Sequence, residues 1–137
     1  MRSVFDIAGW FVSKEAMNHE KIQCLVYLSY AWFYALNHEE LFETDGFEAL
    51  PVMPAEMALF KKYHTYGNKK IYSISTHGLE RELCDFLESV YDTYGIIDGE
   101  ALSSYLRLSM PYQHARKRLT KISREDMKIY YESQQQH

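Results

Sequence analysis

The side chains in the body of this sequence that could hold a metal or act as nucleophiles are His19, His38, His64, His77, His114, Cys24 and Cys84. Zinc chemistry needs such residues at spacings that turn two of them to one side of an element, as HxxxH, CxxC or HExxH do, and none of these spacings occurs among them. A metal-dependent hydrolase assembled by folding from scattered histidines is therefore only the remote reading. Glu39, Glu40 and Glu43 offer carboxylates for acid and base roles, but they follow a helical stretch and enter a connection, where charge is ordinarily solvated. No catalytic residue, metal ligand or cofactor is assigned, and the chain reads as a non-enzyme.

The strongest local charge is the run His114, Arg116, Lys117, Arg118, Lys121 and Arg124. On one continuous helix Lys117, Lys121 and Arg124 share a side and could grip phosphates or an acidic partner. The formal net charge of -4, with Glu125 and Asp126 directly after the run, favours a solvated face over nucleic acid. Lys117, Arg118 and Lys121 are kept as candidate partner contacts.

The element that must position any site is the stretch from Asn18 to Leu36. Asn18 suits an N-cap and Glu20 the positive end of the helix dipole. Ile22, Leu25, Val26, Trp32 and Phe33 recur at helical spacing, with a second stripe of Tyr27, Tyr30 and Tyr34. Such a helix touches neighbours on most of its circumference, so the tyrosines are expected in the core more than at an interface. Before it, Ser3 with Asp6 forms a capping box for a helix carrying Phe11. After it, Asp45-Gly46, Pro51 and Pro54 mark a turn-rich connection with a short strand at 47–49.

Pro54 is expected in the first turn of a third helix that Gly67 ends in the left-handed conformation, and a brief strand is expected at 70–75. Leu79, Leu83, Phe86, Leu87 and Val90 give a fourth helix with Gly95 as its C-terminal cap. Asp98 caps a fifth, Ser109 and Pro111 open a sixth, and Ser123 with Asp126 begins the last, with a frayed tail at 133–137. The expected architecture is mainly α: one domain over 1–137, compact and multi-helical around a central buried helix, with Phe11, Ile22, Leu25, Trp32 and Phe86 in its core.

The apolar fraction of 47% in 137 residues suits a single core. The tyrosines and Gln23 interrupt the central run and mean hydropathy is -0.39, so a membrane span is rejected. Two unpaired cysteines suit a reducing compartment, and a cytoplasmic protein is expected.

With the elements placed, the order of motifs resembles the Panacea-domain family, which includes SocA-like antitoxins and GepA-type phage-associated proteins. The resemblance covers most of the chain. Val4 to Phe11 is similar to the family's VxxIAxxF helix. IQCLVYLSYAWFYAL is similar to LQKLLYYAxGWYLAL, with Gln23, Leu25, Tyr27, Trp32, Ala35 and Leu36 matching. FEALPVMPAEM keeps Phe47, Glu48, Ala49, Pro51, Val52 and Pro54 of FEAWxxGPVVPxxY, with Tyr66-Gly67 downstream. Tyr94-Gly95 and then Leu102, Ser103 and Pro111 follow LSxxTHxxxPW. The chain departs from the pattern at Cys24, where the family has lysine, at Arg107 for histidine and at Tyr112 for tryptophan, and Leu50 directly precedes Pro51 where three residues are missing.

The resemblance implies a helical scaffold retained without its usual polar site. It implies a non-catalytic protein-binding module, antitoxin-like or a proteolytic adaptor, that neutralises a toxin or host factor in a bacterial or phage-infected cell. Its contact surface would lie at Phe47, Glu48, Pro51, Pro54 and Tyr63. The alternative is a mobile-element inhibitor of a host defence or DNA-handling protein built on the same scaffold.

Overall fold

A computed structural model describes residues 2–135, which form a mainly α fold. The elements in its first half are α1 (Val4–Lys14), β1 (Met17–Asn18), α2 (His19–Asn37), β2 (Phe47–Ala49), β3 (Pro54–Glu56) and α3 (Met57–Tyr63). A 3-10 turn over His64–Tyr66 leads to β4 (Lys70–Ile71), and four helices complete the chain: α4 (Arg81–Tyr94), α5 (Gly99–Arg107), α6 (Met110–Arg118) and α7 (Arg124–Gln135). Each strand belongs to a two-stranded antiparallel sheet. Met17 pairs with Ile71 in one, and Phe47 with Glu56 and Ala49 with Pro54 in the other.

Local sequence accounts for most of the helix starts. Ser3 Oγ accepts from the Asp6 N–H at 3.3 Å while the Asp6 carboxylate accepts from the Ser3 N–H at 3.0 Å, so two first-turn donors are satisfied reciprocally. Asn18 accepts from the Lys21 N–H, Asp98 from that of Ala101 and Ser123 from that of Asp126.

Every residue of α2 from Lys21 to Ala31 is buried. The reason is that α1, α3, α4, α5, α7 and β3 all pack against it, so even its tyrosine side is covered. Tyr27 and Tyr30 lie in the core with Phe11, Ile22 and Leu25. Lys21 is admitted to this environment because its ammonium donates to the Gly95 carbonyl at 2.6 Å and pairs with Glu15 at 3.3 Å. Close approach also explains Gly99, where a Cβ would fall 2.9 Å from the Lys21 nitrogen and 3.0 Å from Asn18 Oδ1.

Several expectations are corrected. Pro54 is a strand residue opposite Ala49, and α3 begins later because the buried Glu56 carboxylate caps it by accepting from the Leu59 N–H at 3.0 Å. The strand over 70–75 contracts to Lys70–Ile71, the only two residues that meet β1. Gly67 has positive φ but terminates the 3-10 turn that follows α3, whereas Gly95 caps α4 as expected, in a right-handed conformation. Left-handed helix ends occur instead at His38 and Leu119. Residues 133–135 continue α7, so the tail expected to fray is helical up to Gln135, and 136–137 lie outside the described residues. Trp32 and Phe86 pack against the core from its edge, because the last turns of α2 diverge from complete cover and Leu36 there is 43% exposed.

Candidate functional site

The residues proposed for partner contact do not form one surface. Phe47 is fully buried against Tyr27 and Tyr30, Pro54 is buried in the hairpin, and Tyr63 turns inward from α3. Glu48 is half-buried, leaving Pro51 as the exposed member of that group. Phe47 and Pro54 become core because the β2–β3 hairpin packs against the body of the fold, β3 being buried at all three positions, and Tyr63 because α3 turns it inward.

The basic run is divided as well. Lys121 lies in the connection after α6 and Arg124 opens α7, so they do not share a helix face with Lys117. Arg116 donates to the Ala49 carbonyl at 2.9 Å, Lys121 to the Asp45 carbonyl at 2.7 Å, and Arg118 and His114 both meet the Asp126 carboxylate. Among the described residues Lys117 alone of these cations has no such partner. Most of this charge holds the molecule together.

What the fold does assemble is an open apolar groove of about 430 Å³ between the β2–β3 turn and α3. Leu50, Pro51, Val52 and Met53 form one wall, while Phe60 with His64 forms the other and His19 closes the inner end. Val52 is 54% exposed. The His64 and Phe60 rings stack at 4.9 Å, and His19 lies 5.5 Å from Phe60.

The inner end is set by a closed polar network. The Gln23 Oε1 accepts from the Glu56 N–H at 2.9 Å, which orients the amide so that its nitrogen donates to the Glu56 carbonyl at 3.1 Å and faces His19 Nε2 at 3.0 Å. An amide nitrogen can only donate, so His19 Nε2 is the acceptor and its ring is neutral with the proton on Nδ1. Burial, helped by the neighbouring His64 charge, pulls the His19 pKa down to about 4. The Glu56 carboxylate completes the network by accepting from Thr44 Oγ1 at 2.7 Å.

The outer wall is fixed from α5 and α6. Three side chains donate to successive parts of the turn: Arg116 to Ala49, Tyr112 to Leu50 and Arg107 to Val52, each on a backbone carbonyl. Sequence reasoning treats Arg107 and Tyr112 as departures from a pattern, takes His64 only as a scattered metal candidate and gives Phe60 no contact role. One signal is present in the sequence. A turn flanked by Pro51 and Pro54 is short of N–H groups, so its carbonyls need donors from elsewhere.

The chain matches no protein-family model, no curated protein and no solved structure. The chemistry of the site therefore rests on its own residues.

The thiols and histidines are dispersed. Cys24 is fully buried, 3.4 Å from Ser103 Oγ, and burial pushes its thiol up to about 12, so it is a neutral, inaccessible group. Cys84 is half-buried and free. His77 faces Asp6 and His114 faces Asp126, at separate places on the molecule. Among the described residues no three His, Cys, Asp or Glu side chains stand close enough to hold a metal ion. No described helix is long and apolar enough to cross a membrane.

Proposed function

We propose that the protein is a non-catalytic binding module that acts on a partner protein by direct contact, antitoxin-like as its resemblance implies. The groove between the 50–53 turn and Phe60 receives an extended apolar segment of that partner. The observation that carries this reading is the pinning of an exposed apolar turn. Arg107, Tyr112 and Arg116 hold the carbonyls of Val52, Leu50 and Ala49 while Val52 stays exposed. A segment fixed by three donors loses little further freedom on binding, and an exposed apolar rim on a rigid support is the usual mark of a contact site.

Pull-downs from cells that natively express the protein provide the test. One stoichiometric partner should be retained by the wild type and by Lys117→Glu, and lost with Val52→Glu, whose site is exposed and whose fold circular dichroism can verify. Retention by Val52→Glu with loss in Lys117→Glu would overturn the reading in favour of a basic contact face.

A further inference from the structure

A second surface, part apolar and part charged, lies far from this groove, between the last turns of α2 and the outer side of α4. Two hollows of about 460 and 180 Å³ join end to end, and Leu36 and Phe86 line both. Phe33 and Leu83 extend the wider hollow, Trp32 and Val90 the narrower. Along α4 the lining runs from Glu82 to Tyr94, which at the helical rise is about 18 Å, or about three turns. Such a trough takes an amphipathic helix, whose apolar side chains at i, i+3 or i+4, and i+7 fall along one line.

Charge selects the kind of helix. Glu39, Glu80 and Glu82 border the wider hollow, and Arg2 is the one cation among its described lining residues. Arg2 is already engaged, pairing with Glu80 at 3.1 Å and lying 5.8 Å over the Phe33 ring. Glu39 and Glu82 have no ion-pair partner among the described residues. We infer that this trough docks an amphipathic helix of a partner protein that carries Lys or Arg beside the apolar anchor entering the wider hollow. A second copy of this chain offers only Lys117 as an unpaired cation on its basic helix α6, because Arg116 and Arg118 bond within their own molecule.

The test is a selection of helical peptides from a randomised display library against the full chain. Enriched peptides should combine an i, i+3 or i+4, i+7 apolar stripe with basic residues at one end. Affinity of a synthesised binder should weaken at least about tenfold with Leu36→Glu, as expected for a central contact. It should weaken also with Glu39→Lys/Glu82→Lys and with added salt. All three positions are exposed, and circular dichroism checks that the variants fold. Val52→Glu should leave binding unchanged, which separates this inference from the proposed function. No enrichment, acidic or extended winners, binders indifferent to Leu36→Glu, or sedimentation showing the trough occupied by a second copy would each overturn it.

Discussion

Gln23 is the residue on which the inner groove depends. Its amide satisfies both backbone groups of Glu56 and the acceptor nitrogen of His19, all in buried surroundings. Gln23→Ala strands these groups and opens a small cavity, so the protein should lose about 3 kcal/mol of stability in urea titration. A loss below about 1 kcal/mol would mean that the network is replaceable. His19 makes a separate, pH-dependent prediction. Its folded pKa of about 4 lies below the ordinary 6.5, so the unfolded chain binds the proton more readily. Stability is complete above about pH 6.5 and falls as pH drops toward 4, by about 3 kcal/mol in all. That slope should be missing in His19→Leu. Asp6 adds its own loss at lower pH: burial raises its pKa, but bonds from the His77 and Ser3 N–H groups and from Thr76 outweigh this and hold it at about 2 against 3.8.

Among the elements, α6 ends in a strained conformation. Leu119 closes α6 at φ 58 and ψ 44 with its side chain 92% exposed, so it carries the left-handed penalty and contributes almost no packing in return. Leu119→Gly should stabilise the protein by about 1 kcal/mol, read as a higher denaturation midpoint. A lower midpoint would show that the leucine makes a contact worth more than its strain. Helices were legible in the sequence wherever local chemistry decides them: the Ser3, Asn18, Asp98 and Ser123 caps and the period of α2 and α4 all read directly. The start of α3 was not, since it depends on a buried glutamate whose partner Thr44 comes from the preceding connection. The candidate site was half legible. Pro51 is a proposed contact and is exposed, and Val52 figures only as a matched position of the resemblance, whereas Phe47 and Pro54 become core in the hairpin and Tyr63 becomes core from α3. Arg107 and Tyr112, the positions where the chain departs from the pattern it resembles, are the ones that reach the shortened turn, and only tertiary structure brings them there.

Over the whole molecule, α2 is both core and ruler. Its first residue closes one groove and Leu36 floors the other, and 17 residue steps between them correspond to about 26 Å of helix. Two partner segments could therefore bind without colliding, and variants at either end should act independently, since sites more than about 10 Å apart with no shared contacts are additive. From Lys21 to Ala31 the helix has no free surface, so both proposed contact sites lie beyond that stretch. Under the proposed function, a partner is held at the pinned turn at 50–53. Site-specific photo-crosslinking from Val52, with Lys117 as the comparison position, tests it most directly. A single discrete adduct is expected from position 52 and none from 117. An adduct from 117 alone, or none from 52 while the wild-type protein still retains its partner, would contradict it.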